Sequence, residues 1–283
     1  MTANPAHDPL ADLPPLREVI AAHGLRAEKS LGQNFLLDQN ITDKIVRKAA
    51  LVSGMHVFEI GPGPGGLTRS LLRSGLDDVT AVEFDARAVA ALADLQERSR
   101  GRLRVLQADA LETDLLALAP PPRAIVANLP YNIATPLLVG WLRQIREEPA
   151  AFSSMTLMFQ KEVAQRIVAP PGGKAYGRLS VLAQWLCDVR ILFDLSPAAF
   201  VPPPKVMSSV VHFTPRALEP DAPSFAAVEA ITAAAFGQRR KMIRTTLKDY
   251  AEGMAALGVD PQLRAENLTV QQFIALANLK DRP

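Results

Sequence analysis

Phe58-Glu59-Ile60-Gly61-Pro62-Gly63-Pro64-Gly65-Gly66 decides the reading of this 283-residue chain. The stretch His56–Ile60 is short and apolar, as a strand buried on both faces would be. Beyond the glycines, Leu67, Leu71 and Leu72 repeat at helical spacing. Gly61, Gly63 and Gly66 match G-x-G-x-x-G. Glycines at that spacing let the chain turn tightly from strand to helix and bring its backbone against a ligand. An acid, Glu83, stands at the end of the next predicted strand, Val79–Phe84, where its carboxylate suits the two hydroxyls of a ribose.

The alternation continues outward. Leu103–Ala108, Ala124–Ala127 and Thr156–Phe159 read as further strands. Between the strands lie helical patterns: Ile41, Ile45 and Ala49 behind an N-cap at Asp38, then Ala86–Gln96 and Pro136–Ile145. A short helix from Leu16 to about His23 precedes them, with Gly24 as its C-terminal cap. Strand–helix alternation implies right-handed βαβ units, hence an α/β fold whose sheet is mostly parallel and covered on both faces. Val189–Phe193 and Ser209–Phe213 have Pro202-Pro203-Pro204 between them and no helix, which predicts an antiparallel pair at the end of the sheet. After about Arg216 only helical patterns remain: Phe225–Phe236, Gln238–Tyr250 and Val270–Leu279. The expected organisation is a flexible leader over 1–15, an α/β domain over 16–216 and a small all-helical domain over 217–283. The loop Ala169–Gly177 is expected to be mobile.

Composition narrows the function classes. With 48% hydrophobic and 21% charged residues, the chain is not disordered or fibrous as a whole. No apolar run approaches the ~18 residues of a membrane helix, so no membrane partner is expected. Residues 1–15 lack the basic start and apolar core of a signal peptide. The single cysteine, Cys187, cannot form an internal disulfide, which fits a reducing cytoplasm. Four scattered histidines offer no zinc ligand set, and no metal is expected. A net charge of +2 permits a nucleic-acid partner without arguing for one.

Nicotinamide dinucleotides and S-adenosylmethionine both use such a glycine loop. Pro62 and Pro64 remove two backbone donors, which speaks against a pyrophosphate cradle. Glu59 beside the loop suits a ligand carrying an ammonium or sulfonium cation. Asp109, at the carboxyl edge of the sheet, reads either as an acceptor for an adenine amino group or as a helix N-cap. Asn128-Leu129-Pro130-Tyr131 ends the fourth strand. An exocyclic adenine amine is a poor nucleophile because its lone pair is delocalised into the ring. An acceptor pair holding both N6 hydrogens favours a tetrahedral nitrogen and aims that lone pair. The Asn128 side-chain oxygen and the Leu129 carbonyl can form the pair, Pro130 stiffens the turn, and Tyr131 offers a face for a flipped-out base.

These blocks resemble, in order, the bacterial small-subunit (16S) rRNA adenine-N6,N6-dimethyltransferase family. Lys29-Ser30-Leu31-Gly32-Gln33-Asn34-Phe35-Leu36-Leu37-Asp38 resembles the family's opening motif. Phe159–Arg166, Tyr176–Ser180, Phe200–Val206, Phe236–Lys241 and Arg264–Leu268 resemble later ones. The resemblance spans nearly everything after the leader. It implies a Rossmann-like class I methyltransferase sheet using S-adenosylmethionine. Asn34, Leu36 and Gly61 would contact the donor, with Glu83 at its ribose and Asp109 at its adenine. Asn128 and Leu129 would orient the target amine, with Asn128 also counted at the donor site, and Tyr131 and Phe200 would sandwich the base. The substrate implied is 16S rRNA within an assembling small subunit, and a monomer is expected. The leader is not required by the family.

The helix expected over Gln238–Lys248 offers Arg239, Arg240, Lys241, Arg244 and Lys248 to RNA. Arg240, Arg244 and Lys248 recur every four residues and predict one stripe, read as a phosphate contact or as a solvated basic face. Four other functions compete. A related family modifies large-subunit rRNA. A DNA adenine methylase would need a sequence-reading domain, which is not evident here. A dehydrogenase would need a proton donor at a strand end. An assembly checkpoint would bind immature subunits with methylation secondary.

Overall fold

The computed structural model describes residues 10–25 and 33–281. Along the chain, α1 (Leu16–Ala22) leads to the short strand β1 (Phe35–Leu36) and α2 (Gln39–Ala49). As expected, the Asp38 side chain caps α2, accepting from the Asn40 amide at 2.9 Å. There follow β2 (His56–Ile60), α3 (Gly66–Arg73), β3 (Val79–Glu83), α4 (Ala86–Ala91), α5 (Ala93–Arg98), β4 (Leu103–Gln107) and β5 (Arg123–Ala127). The helix predicted over Ala86–Gln96 is thus two, meeting at Leu92. Next come α6 (Ala134–Glu147), β6 (Ser154–Gln160), α7 (Lys161–Val168), α8 (Arg178–Leu186), β7 (Cys187–Leu195), β8 (Phe200–Val201) and β9 (Ser208–Pro215). The chain ends in α9 (Phe225–Gly237), α10 (Ile243–Thr246), α11 (Ala251–Ala256) and α12 (Val270–Asp281).

Seven strands form one sheet in the order β4-β3-β2-β5-β6-β9-β7. The β2–β3, β3–β4, β2–β5 and β5–β6 pairs are parallel, and the sheet as a whole is mixed. Every residue of β2, β3 and β5 is buried, which accounts for their largely apolar sequences, although His56, Glu59, Thr80, Glu83 and Arg123 are buried with them. From β2 the chain winds one way through β3 and β4, then crosses back to β5 on the other side. Connections therefore diverge between β2 and β5, and their carboxyl ends open a crevice. β1 and β8 form a separate antiparallel ribbon with Leu36 opposite Phe200.

Packing divides the chain into two units. The first holds the described residues up to Leu137 with Ala150–Gln160 and Leu192–His212. The second holds Leu138–Pro149, Lys161–Ile191 and the chain from Phe213 onward. It therefore takes in α7 and α8, which precede the linker at 217. The Trp185 and Phe225 rings stack at 6.4 Å, tying α8 to α9.

Three local expectations change. The expected leader is anchored at Leu10 and Pro14, while Ala11, Asp12 and Pro15 are exposed. Leu10 is 3% exposed within the core, and Arg69 donates to the Pro14 carbonyl at 2.7 Å. Residues 1–9 lie outside the described residues. The helix over Gln238–Tyr250 is not continuous. The Ile243 amide bonds the Leu263 carbonyl and the Arg244 amide the Pro261 carbonyl, so these donors leave the helical ladder. Only Ile243–Thr246 is α-helical there, and the four-residue stripe does not form. Finally, Ala169–Gly177 is tied down rather than loose. The Gly172 amide donates to the Glu266 carbonyl at 2.6 Å, and the Tyr176 side chain is fully buried.

Candidate active site

A cavity of about 220 Å³ opens at the carboxyl ends of β2, β3, β4 and β5. The glycine loop forms its floor. Gly63 has φ +54°, and a Cβ there would lie 2.9 Å from the Phe35 ring. Gly66 is required for space: its Cβ would fall 2.5 Å from the Leu36 carbonyl oxygen. The third glycine therefore lets α3 start directly beneath β1, which covers the loop.

Glu83, at the end of β3, braces this loop. Its Oε2 accepts the Gly63 amide at 3.0 Å and its Oε1 the Asp85 amide at 2.9 Å. Each oxygen keeps a further lone pair for a ligand hydroxyl. Burial raises the Glu83 pKa against the pull of those amides. Glu59 is 1% exposed at the end of β2, and its Oε2 has no partner among the described residues. Burial, with Glu83 adding to it, pushes its pKa up to about 8. A carboxyl in that state is neutral near pH 7 and ionises when a cation is brought beside it.

Asp109 lies beyond β4. Its Oδ1 accepts the Leu111 amide at 2.8 Å, so it does cap a turn. Its Oδ2 has no donor among the described residues and is open to an amino group. Asn128, at the end of β5, donates from Nδ2 to the Asn34 carbonyl at 2.9 Å. A carbonyl only accepts, so this bond fixes which end of the amide is nitrogen and leaves Oδ1 as the free acceptor. Leu129 is buried, and Tyr131 bonds through Oη to Ser208 Oγ at 2.5 Å. Burial raises the Tyr131 pKa.

Asn34, Leu36, Gly61, Glu83, Asp109, Asn128, Leu129 and Tyr131 all line this cavity, as the sequence reading expects. The Lys29–Gly32 part of the opening motif lies outside the described residues. Phe200 does not line the cavity. It is 2% exposed and packs in the core cluster that contains Leu36, so it offers no stacking face as it stands. Sequence reasoning missed Phe84 and Leu111, apolar side chains 63% and 49% exposed at the cavity. A signal existed: each follows closely on an acid at a strand end. Ser208 carries no such signal.

The basic residues divide. Arg240, Lys241, Arg244 and Lys248 are exposed. Arg239 is exposed too, but its donors are engaged within the protein: Nη2 donates to the Lys174 carbonyl at 2.6 Å and the Tyr176 carbonyl at 2.7 Å, and Nε reaches Glu266 at 3.3 Å. Among the described residues no cluster of His, Cys, Asp or Glu is arranged to hold a metal, and no helix is long and apolar enough to cross a membrane.

The relatives agree in kind. A protein of Rhodospirillum rubrum named ribosomal RNA small subunit methyltransferase A is 54% identical over 280 residues, 98% of this chain and 96% of its own. One of the same name from Xanthobacter autotrophicus is 56% identical, covering 95% and 94%. A crystal structure of a dimethyladenosine transferase from Plasmodium falciparum has a TM-score of 0.72 at 26% identity, covering 84% of this chain and 94% of that one. That of the 23S rRNA methyltransferase ErmE has 0.67 at 25%, covering 88% and 100%. The family model described as ribosomal RNA adenine dimethylase matches residues 24–282. With nearly the whole chain matched and the cavity built from the residues its motifs supply, the chain belongs to the ribosomal RNA adenine dimethylase family.

Proposed function

We propose that the protein transfers methyl groups from S-adenosylmethionine to N6 of two adjacent adenines in 16S rRNA, giving N6,N6-dimethyladenosine during small-subunit assembly. The observation that carries this reading is the Asn128 amide, held by the Asn34 carbonyl with Oδ1 free in the cavity that Glu83 and Asp109 also line. The near-full-length relatives named small subunit methyltransferase support the choice of subunit. The protein acts in the cytoplasm, as a monomer.

The residues present fit the donor. The Glu59 carboxyl, with Oε2 unpartnered among the described residues, suits its cationic end, the spare lone pairs of Glu83 its ribose, and Asp109 Oδ2 its adenine amine. Phe84 and Leu111 supply apolar faces for the purine. When bound, the donor supplies an electrophilic methyl on a sulfonium sulfur. Asn128 Oδ1 and the Leu129 carbonyl accept the N6 hydrogens and turn the lone pair outward. Tyr131 stacks on the base. No general base is required, because the nitrogen sheds its proton after it has become positive. Arg240, Lys241, Arg244 and Lys248 contact phosphates and position the RNA without reading its sequence.

Labelled donor incubated with unmethylated small subunits, with large subunits in parallel, tests the reading by nucleoside mass spectrometry. Dimethyladenosine from small subunits alone is expected. Product from large subunits instead would favour the activity named for ErmE. Donor binding and subunit binding with no product would leave a checkpoint role.

A further inference from the structure

We propose that the loop Ala169–Gly177 is a fixed phosphate-binding platform whose contact residue is Lys174, and that Arg239 serves as its strut rather than as an RNA contact. This rests on the rRNA reading above. The loop carries Pro170, Pro171, Gly172 and Gly173, a composition suited to mobility. It is nevertheless bound at four points. The Arg239 guanidinium spans the Lys174 and Tyr176 carbonyls, and the Gly172 amide reaches the Glu266 carbonyl. The Gly173 carbonyl accepts the Tyr176 amide at 3.1 Å. Tyr176 itself is buried, edge-on to Phe236 at 6.0 Å.

Three consequences follow from these bonds. The Glu266 carboxylate pairs with the Arg239 guanidinium at 3.3 Å, which offsets its charge beside the loop. The Lys174 main chain is held while its side chain stays exposed, with no partner among the described residues. Arg240 and Lys241, next to Arg239 in the chain, are exposed beside it. Lys174 thus stands on a base that Arg239 joins to the segment carrying Arg240 and Lys241, so exposed cations from two stretches far apart in sequence are tied together through one guanidinium. A lysine on a mobile loop would lose chain entropy on meeting a phosphate, and here that cost falls on folding instead. The chemistry suits consecutive phosphates of an RNA strand.

Filter binding of unmethylated small subunits over a range of KCl tests the assignment. Lys174→Ala is expected to lower the slope of log affinity against log salt by about one, with donor affinity and Tm unchanged, and Lys174→Arg to restore it. Arg239→Ala should lower the slope by a similar amount, raise hydrogen exchange over 170–177, and add nothing to Lys174→Ala. Lys174→Ala and Arg240→Ala should add, since they meet separate phosphates. An unchanged slope in Lys174→Ala, with wild-type binding intact, overturns the platform alone. A further drop when Arg239→Ala is added to Lys174→Ala overturns the strut. Wild-type protein that does not bind subunits at all overturns the rRNA reading, and the platform with it.

Discussion

The Asn128 side-chain amide donates to the Asn34 main-chain carbonyl at 2.9 Å across a sequence separation of 94 residues. The bond joins the strand-end motif to the segment covering the glycine loop. It also assigns the amide without ambiguity, since only the nitrogen can donate.

Asn128→Ala should therefore lose methyl transfer by about 10²-fold or more, the scale at which one oriented hydrogen-bonding group counts in a polar transition state. Donor affinity should change little. Asn128→Asp should be as poor, because its carboxylate would face the Asn34 carbonyl with no hydrogen to share. Single-turnover methylation and donor titration on each variant check both statements.

Glu59 predicts a pH dependence of stability and of binding. Its folded pKa, about 8, lies above the ordinary value of 4.5. The folded state thus holds a proton that the unfolded state releases. The stability linked to that proton is fully present below pH 4.5 and is lost as pH rises through about 8. Glu59→Gln should flatten this decline, as melting temperatures between pH 6 and 8.5 will record. Binding a cationic donor at pH 7 should expel the proton. Calorimetry in buffers of different ionisation enthalpy should show that release in the wild type and none in Glu59→Gln. The maximal rate at saturating donor should stay flat near neutrality, because the proposed transfer uses no base.

Ser208→Ala tests the hydroxyl pair with Tyr131. Losing one buried partner costs about 1–3 kcal/mol where the other is left unsatisfied. The Tyr131 ring should lose its fixed orientation. Methyl transfer should fall several-fold while donor affinity holds, and Tyr131→Phe combined with Ser208→Ala should be less than additive in a double-mutant cycle.

Gly66→Ala tests the close approach of α3 to β1. A methyl 2.5 Å from the Leu36 oxygen must displace β1 or the start of α3. Weaker donor binding and a lowered Tm are both expected, read by titration and thermal melting. Gly75→Ala, where a Cβ meets nothing within 4 Å but φ is +86°, supplies a comparison that strains backbone alone.

The sheet was legible because its central strands are buried on both faces, so β2 and β3 announce themselves as mostly apolar runs bounded by glycine or acid. The site was legible because its polar residues sit at strand ends, where the topology gathers them. What was hidden depends on pairing between distant segments. Nothing local reveals that the Ile243 amide pairs with the Leu263 carbonyl instead of continuing a helix. Nor does the Pro-Pro-Gly-Gly tract reveal that Arg239 holds the loop. Phe200 stands among prolines, so periodicity cannot say whether it faces a ligand or the core, and it faces the core.

The β1–β8 ribbon gives the site a lever. Leu36 is paired with Phe200, and the Asn34 carbonyl, just before β1, grips Asn128. A shift of β8 that swings Phe200 toward a base would pull β1 with it, and hence both the segment covering the glycine loop and the Asn128 amide proposed to aim the nucleophile. Loading the donor and seating the base are then two loads on one beam. Linkage makes such an effect mutual: whatever factor the donor gains in affinity from bound RNA, the RNA gains from bound donor. Equal factors in the two titrations would be its signature, and independent binding would mean that the ribbon is only a staple.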